Sequence, residues 1–308
     1  MRLAVEFPNV VYREGPEAVT KLAAAIEEIG YDQLDMFDHV VMGHPMEDRS
    51  TGPYPSNMPI LEAFMVLAYV AAATSKIGLG TEVLVLPQRQ PTLVAKQVST
   101  LDTLSDGRMR LGVGVGWQES EYDALGIDFS TRGKMMDEAI PFLRSWWSDA
   151  SVDFDGVFYQ AEAMAMEPKP PQGADLPIWI GGGSTAALRR AGKWADGWLG
   201  SAAMGDMTKL SGMINSIKIF AEEDGRDTNT MGFQAQLSPP PRNDDPGGRT
   251  FYANPHEVAG VAAAAKEVGC NWATINATGV FLAGGRTVDE MVQMLAALHD
   301  RLRAEVGA

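Results

Sequence analysis

An aspartate and a histidine stand side by side where a predicted strand ends, as Asp38-His39. Histidine can transfer protons or hydrogen-bond a substrate near neutral pH. The neighbouring carboxylate could orient the imidazole or accept a hydrogen bond from a ring N–H of a bound molecule. The alternative is a structural histidine whose hydrogen bonds are satisfied. Because strand ends often carry chemistry, His39 and Asp38 are the candidate catalytic residues.

A run of glycines, Gly181-Gly182-Gly183, leads from a second apolar strand through Ser184 into a helix. Free backbone N–H groups and the helix dipole at such a helix start favour an anion, especially phosphate. The alternative is a flexible turn in which Ser184 is an ordinary N-cap. Three consecutive glycines exceed what a cap needs, so the segment predicts an anion site.

A second glycine-rich segment spans residues 112–116, with Gly114 and Gly116 at its end. A dinucleotide-binding loop needs a tight turn that opens directly into a helix. Here the glycines lie within a predicted strand and Trp117 follows. They indicate close packing, or room above the strand for a flat ring system.

Other chemistries find less support in the sequence. Metal binding is not expected, because no cysteine or histidine cluster has the spacing of a ligand set. Glycoside hydrolysis needs two carboxylates that face one bond, and Glu119 is the acid nearest the end of the fourth strand. No serine-histidine-aspartate arrangement is apparent.

The 17 methionines and seven tryptophans suggest an apolar pocket. Met42, Met58, Trp117 and Phe281 lie near predicted strand ends and are the candidate substrate-pocket residues. Packing in the core is the alternative for such side chains.

The composition restricts the partners. The net charge of −15 over 308 residues opposes binding to nucleic acid or to anionic membranes, which requires clustered cations. The single cysteine, Cys270, permits no intramolecular disulfide. Neither a signal-peptide pattern nor an apolar run of about 20 residues is found. We expect a soluble, cytoplasmic protein that acts on a small molecule.

Strands and helices alternate along the chain, eight of each. Predicted strands lie at about 2–8, 31–37, 77–86, 109–115, 177–180, 197–199, 230–237 and 271–276. Predicted helices lie at about 16–29, 60–74, 91–104, 132–148, 185–194, 206–224, 255–268 and 287–304. Parallel strands joined by crossover helices can close into a barrel. The pattern predicts an α/β fold, a (β/α)8 TIM barrel.

This barrel would be a single domain over residues 1–308, with an excursion at about 151–172 between the fourth helix and the fifth strand. Two long loops, 40–58 and 238–250, follow strands and would cover the catalytic face.

Several motifs, taken together, resemble the luciferase-like monooxygenase superfamily, including its branch that uses the deazaflavin coenzyme F420. The motifs are Phe37-Asp38-His39, Gly78-Leu79-Gly80-Thr81-Glu82-Val83, the segment from Pro91 to Arg108, Leu111 to Trp117, Pro168-Lys169-Pro170, Ile178 to Gly182, and Ala195-Asp196-Gly197-Trp198.

The resemblance implies a luciferase-like barrel whose cofactor ring lies over the strand ends, with its phosphate near strands 5 and 6. A non-proline cis peptide at Glu82–Val83 would contact the ring, and Asp38 and His39 would lie beside it. The cofactor-binding residues implied in this way are Asp38, Glu82, Val83, Gly114, Gly116, Trp117, Gly181, Gly182, Gly183, Ser184 and Trp198.

Three departures bear on the substrate. Sugar-phosphate dehydrogenases of this branch carry a proton-donating glutamate where this chain has Trp117, and a tryptophan where it has Gly43. Their basic phosphate-binding residues have no match around Asn276. A more apolar substrate is therefore expected.

The sequence thus predicts an F420-dependent oxidoreductase that transfers a hydride between the cofactor and a small apolar carbonyl, alcohol or activated alkene. One alternative is a two-component monooxygenase that receives reduced FMN from a separate reductase. Another is a barrel that binds flavin without turnover. The resemblance also implies a homodimer.

Overall fold

Parallel strands form a closed barrel in the computed structural model, which describes residues 1–47, 54–203, 205–239 and 248–307. The eight barrel strands within these ranges are β1 (Arg2–Glu6), β2 (Gln33–Met36), β3 (Gly78–Thr81), β4 (Met109–Gly114), β5 (Ile178–Gly181), β6 (Gly197–Leu199), β7 (Gly232–Gln236) and β8 (Trp272–Asn276). Each strand pairs in parallel with the next, and β8 pairs with β1, where Arg2 lies opposite Trp272. The predicted (β/α)8 barrel is confirmed.

Eight longer helices alternate with these strands in the described residues. They are α1 (Pro16–Ile29), α2 (Ala63–Ala71), α3 (Pro91–Leu104), α4 (Arg132–Ser148), α5 (Thr185–Trp194), α6 (Met207–Glu223), α7 (Pro255–Glu267) and α8 (Val288–Val306). None of these described helices is both long and apolar enough to cross a membrane.

The helix ends follow from local sequence. Helix α1 begins with a proline, whose missing N–H costs nothing in the first turn, and ends at Gly30 in the left-handed conformation. Helix α8 begins with a capping box in which Thr287 and Glu290 each bond the backbone of the other. The predicted bounds of α3, α4 and α5 agree with the structure.

The third predicted strand, 77–86, is interrupted. Pairing stops at Thr81 and resumes at Leu84–Val85, which lie opposite Val113 and Gly114 of β4. The peptide bond between Glu82 and Val83 is cis, as the resemblance implied.

The excursion after α4 is a β-hairpin of Val152–Asp155 and Gln160–Met164. Glu138 of α4 anchors it, because its carboxylate accepts hydrogen bonds from three consecutive backbone N–H groups at 157–159. The two long loops that were expected over the catalytic face lie partly outside the described residues, at 48–53 and 240–247.

At the N-terminal end of the barrel, Trp179 of β5 packs edge-on against Trp272 of β8, with ring centroids 5.5 Å apart, and both line a cavity of about 880 Å³. A Cβ atom at Gly197 of β6 or at Gly232 of β7 would overlap the indole ring of Trp179. The guanidinium of Arg110 lies 4.3 Å from the centroid of the same ring and pairs with the buried carboxylate of Asp35. These aromatic and charged side chains therefore lie at the barrel end opposite the strand ends that carry the candidate site.

Candidate active site at the strand ends

A histidine and a glutamate form a buried pair at the strand ends. Nδ1 of His39, which follows β2, lies 3.0 Å from Oε2 of Glu121. Glu121 belongs to a short helix, Glu119–Ala124, that follows β4. Because an ionised carboxylate can only accept, the Nδ1 atom carries the proton, and this leaves Nε2 for another partner.

The same carboxylate fixes the backbone that follows the histidine. Oε1 of Glu121 accepts from the N–H groups of Val40 at 2.5 Å and Val41 at 3.2 Å. Burial alone would raise the pKa of Glu121. The hydrogen bonds from His39 and from the backbone outweigh burial and hold the pKa below its usual range. Glu121 is therefore a fixed anion beneath the histidine.

The expectation that Asp38 orients His39 is not met, since Glu121 takes that place. Oδ1 of Asp38 accepts from Nη2 of Arg89 at 2.7 Å, and Oδ2 accepts from the N–H of Val85 at 3.2 Å. Successive side chains on extended backbone point to opposite sides, so the two neighbours face different partners. Burial raises the pKa of Asp38 although Arg89 opposes it.

Sequence reasoning missed Glu121 and considered Glu119 instead, whose side chain is exposed. The available signal was the pair of acids in Glu119-Ser120-Glu121, three residues after the last glycine of the strand 4 segment. A six-residue helix is too short to show a periodic apolar face, so only the fold distinguishes the inward acid from the outward one.

Glycines at and just after the ends of β4 and β5 accommodate two valine side chains. A Cβ atom on Gly114 would lie 2.8 Å from Val83, and one on Gly181 would lie 2.7 Å from the same side chain. A Cβ atom on Gly116 would lie 2.7 Å from Val85. The room that was expected above Gly114 and Gly116 is thus occupied, and Val83 is seated between two strands.

The segment between β5 and α5 contains the N-cap that was the alternative to an anion site. The Oγ atom of Ser184 accepts from the N–H of Ala187 at 3.2 Å and caps α5. Gly182 adopts a φ of 109°, which favours glycine. Gly182 and Gly183 are half-buried and Ser184 is exposed, so their backbone is accessible. The anion site remains a prediction.

Trp198 lies below this segment and is fully buried. Its Nε1–H donates to the carbonyl of Gly182 at 2.9 Å. We expected Trp198 to contact a cofactor, but its ring belongs to the core and supports the glycine segment from beneath.

A cavity of about 530 Å³ opens beside β1, β7 and β8. Met58 and Phe281 line it, as predicted, whereas Met42 and Trp117 are not among its lining residues. Trp117 packs edge-on against His39, with ring centroids 5.4 Å apart, and is 43% exposed. Other apolar and aromatic side chains of the cavity are Phe37, Tyr54, Pro59, Leu237, Tyr252 and Leu282.

A carboxyl group that the sequence analysis did not single out also lines this cavity. Glu6 ends β1, is 4% exposed, and accepts from Nε2 of Gln236 at 2.8 Å and from Nδ2 of Asn276 at 2.9 Å. Burial, together with the nearby charge of Asp35, raises the pKa of Glu6 to about 8. In the sequence it reads as an ordinary strand residue, and only barrel closure makes it a wall of the cavity.

Glu82 is a further buried acid. Its Oε2 accepts from Nε2 of Gln234 at 2.9 Å, and its Oε1 has no hydrogen-bond partner among the residues that the structure describes. Burial and the charges of Asp35 and Glu6 raise its pKa well above the usual range.

Comparison with known proteins identifies a matching family and several relatives. The family model described as luciferase-like monooxygenase matches residues 2–246. An uncharacterised protein of Mycobacterium tuberculosis (strain ATCC 25618 / H37Rv) is 36% identical over 213 residues, which cover 67% of this chain and 72% of that protein. The pyrimidine monooxygenase RutA of Acinetobacter baylyi is 33% identical over 178 residues, or 55% of this chain and 47% of that protein.

Among solved structures, the coenzyme F420-dependent tetrahydromethanopterin reductase of Methanopyrus kandleri superposes with a TM-score of 0.76. The superposition covers 98% of each chain at 15% identity. This likeness concerns the fold.

Proposed function

Because the chain belongs to the luciferase-like monooxygenase family and is therefore an oxidoreductase, we propose that it is a deazaflavin-dependent one that acts on a small, largely apolar carbonyl, alcohol or activated alkene. The observation that carries this proposal is the buried pair of His39 and Glu121, whose imidazole contacts Tyr54, a residue that lines the largely apolar cavity. When bound, a deazaflavin donates or accepts a hydride at its C5 position.

His39 handles the proton of the reaction. Glu121 fixes Nδ1 as the protonated nitrogen, so Nε2 is the atom that hydrogen-bonds the substrate oxygen or exchanges a proton with it. Trp117 and Tyr54 pack edge-on against the imidazole and limit the access of water to it.

The residues at the C-terminal ends of the barrel strands fit a flat cofactor that carries a phosphate. Val83, seated between Gly114 and Gly181, offers an apolar side chain as a support for the ring. The half-buried backbone at Gly182 and Gly183, at the start of α5, would hold the phosphate. Asp38, paired with Arg89, lies beside His39 and would face the ring edge.

A titration with separate cofactors tests the proposal. Purified apo-protein is titrated with F420 and with FMN, each followed by fluorescence. We expect binding of F420 to be at least about tenfold tighter, a difference of about 1.4 kcal/mol. Tighter FMN binding would contradict the deazaflavin assignment, and binding of neither would contradict a flavin-type cofactor.

A variant tests the role of the histidine. His39→Ala removes the proton-handling nitrogen, and we expect turnover to fall by about 10²–10⁴-fold while cofactor affinity stays within a few fold. Full turnover in this variant would exclude the role assigned to His39.

A second candidate function is favoured by the 33% identity to RutA, whose name describes a monooxygenase. In this function a separate reductase supplies reduced FMN, and oxygen is the second substrate. A deazaflavin has carbon at position 5 and forms no productive oxygen adduct, so the same titration separates the two functions. Absence of any turnover in cofactor-saturated protein would favour a non-catalytic flavin carrier.

A homodimer is also proposed. Helices α2 and α3 pack side by side and expose large apolar side chains, among them Met65, Tyr69 and Leu93. Burial of such a surface against a second copy removes apolar area from water. Light scattering at several protein concentrations would give the mass of the species in solution.

A further inference from the structure

The cavity beside β1 combines apolar walls with one deeply buried carboxyl group. Phe37, Met58 and Phe281 contribute to the walls, and Glu6 contributes a polar wall at the end of β1. A carboxyl group that faces an apolar space at 4% exposure is costly as an anion, because little water reaches it.

The hydrogen bonds of Glu6 are of one kind. Side-chain amides donate to both of its oxygens, Gln236 to Oε2 and Asn276 to Oε1. The orientation of the Asn276 amide is set by its own oxygen, which accepts from the N–H of Gly279 at 3.1 Å. In these orientations the amide N–H groups cannot accept a hydrogen bond, so an O–H of Glu6 needs an acceptor elsewhere, and the cavity that Glu6 lines can hold one.

Burial and the nearby charge of Asp35 raise the pKa of Glu6, although the hydrogen bond from Gln236 opposes them. Asp35 forms a direct ion pair with Arg110, which is also bonded by Gln234. Glu6 and Glu82 accept hydrogen bonds from neutral side-chain amides instead. The charges of Glu6 and Asp35 also act on Glu82. Arg110 pairs directly with Asp35, so ionisation of Glu6 and Glu82 as well would leave carboxylates without a direct cationic partner in a low-dielectric interior, which is costly.

We propose that Glu6 determines substrate specificity: as a neutral carboxylic acid it donates a hydrogen bond to an oxygen acceptor of an otherwise apolar ligand. The cavity would therefore select neutral oxygenated molecules over ammonium ions of the same shape. This inference rests on the proposed function only in taking the cavity as the substrate site. Tyr54 packs against His39 and lines the same cavity as Glu6, so this residue separates the imidazole from the cavity.

The proposal implies pH-dependent binding, governed by every ionisable group that faces Glu6. From the packed elements these groups are Asp35 on β2, Glu82 after β3, Arg110 on β4, Tyr54 in the loop after β2, Tyr252 before α7, and Arg13 and Arg249 at the cavity wall. The raised pKa of Glu6, about 8, places its ionisation above that of an ordinary glutamate.

The test uses two probes of one shape, camphor and bornylamine, with the purified chain and no cofactor. Affinities are measured by calorimetry between about pH 6 and about pH 9 for the wild type, Glu6→Gln and the surface control Glu28→Gln. Glutamine keeps the shape and supplies a permanent neutral donor. We expect camphor to bind the wild type about tenfold more weakly at the upper pH than at the lower.

In Glu6→Gln the affinity for camphor should change less than about twofold over the same range, whereas Glu28→Gln should behave as the wild type. Bornylamine should bind the wild type at least about tenfold more weakly than camphor at the lower pH. A camphor affinity in the wild type that does not depend on pH would overturn the proposal. Retention of the dependence in Glu6→Gln, tighter bornylamine binding, or no camphor binding would do the same.

An infrared measurement keeps the inference testable if the variant does not fold. The wild type should show C=O absorption of protonated carboxylic acids, to which Glu82 also contributes, and the part due to Glu6 should disappear on raising the pH past 8. Camphor should shift the component that titrates near pH 8 by hydrogen bonding, because Glu6 lines the cavity and Glu82 does not, and a component insensitive to camphor would overturn the assignment. Both experiments are carried out without cofactor. Failure of the deazaflavin assignment would therefore leave both results valid, and failure of the Glu6 proposal would leave the deazaflavin assignment open.

Discussion

Oε2 of Glu121 lies 3.0 Å from Nδ1 of His39, and the two side chains are 1% and 6% exposed. The acid comes from the helix after β4 and the imidazole from the chain after β2, so the pair joins two non-adjacent barrel strands through their following segments. Loss of either side chain should therefore weaken the contact between the segments that follow β2 and β4.

Glu121→Gln should weaken the attachment of the segment that follows β2. A glutamine offers a single oxygen, so it must give up either His39 or the N–H groups of Val40 and Val41. We expect a loss of about 1–3 kcal/mol in the free energy of unfolding and faster hydrogen exchange of the Val40 and Val41 amides. Glu119→Gln, on the same short helix but exposed, is the matched control. Unchanged exchange in Glu121→Gln would show that its carboxylate does not hold the segment.

The two ion pairs of Arg89 should differ in strength. Its partner Asp38 is 1% exposed, whereas its partner Glu62 is 37% exposed. Arg89→Leu leaves the buried Asp38 carboxylate unpaired and should cost about 3 kcal/mol of unfolding free energy. Glu62→Gln removes the exposed pair and should cost less than about 1 kcal/mol. Equal losses in chemical denaturation would refute the ranking.

The seat of Val83 between two glycines can be tested by a double-mutant cycle. Gly114→Ala should cost about 1–3 kcal/mol because the new methyl group meets Val83. Addition of Val83→Ala should recover much of that loss. Gly260→Ala, in α7 where an added Cβ meets nothing within 4 Å, is the control and should be neutral or stabilising. Strictly additive effects at Gly114 and Val83 would contradict the contact.

Glu6 should make stability depend on pH. Its pKa is raised in the folded state to about 8 from 4.5, so between these values the folded chain binds more protons than the unfolded chain. The free energy of unfolding should therefore fall as pH rises through this window, by up to about 1.4 kcal/mol per pH unit for this group. Glu6→Gln should flatten the curve measured by urea denaturation at each pH. A variant curve parallel to that of the wild type would argue against the raised pKa.

The sequence predicted the parts of the fold that local signals encode. Pro91 and the turn at residues 105–107 bound α3, and Gly30 ends α1, because these residues restrict the backbone wherever they occur. The alternation of strands and helices was sufficient for the barrel, and the motif resemblance located the cis peptide.

The site was less accessible to such reasoning. His39 and Asp38 were found as neighbours in the chain, but the partners Glu121 and Arg89 come from distant segments. Glu6 looked like any polar residue in a strand, since its burial depends on β7 and β8 closing against β1. Interactions that only barrel closure creates leave no mark on local composition.

Trp179 has a consequence for how this chain can evolve. Its indole ring occupies the volume that side chains at Gly197 and Gly232 would need, so neither glycine can acquire one while the tryptophan remains. Replacement of Trp179 alone would leave a hole beside two residues that have no side chains to fill it. The residue types at these three positions therefore depend on one another. If all three positions are randomised and folded variants are selected, the tryptophan and both glycines should be retained together or replaced together.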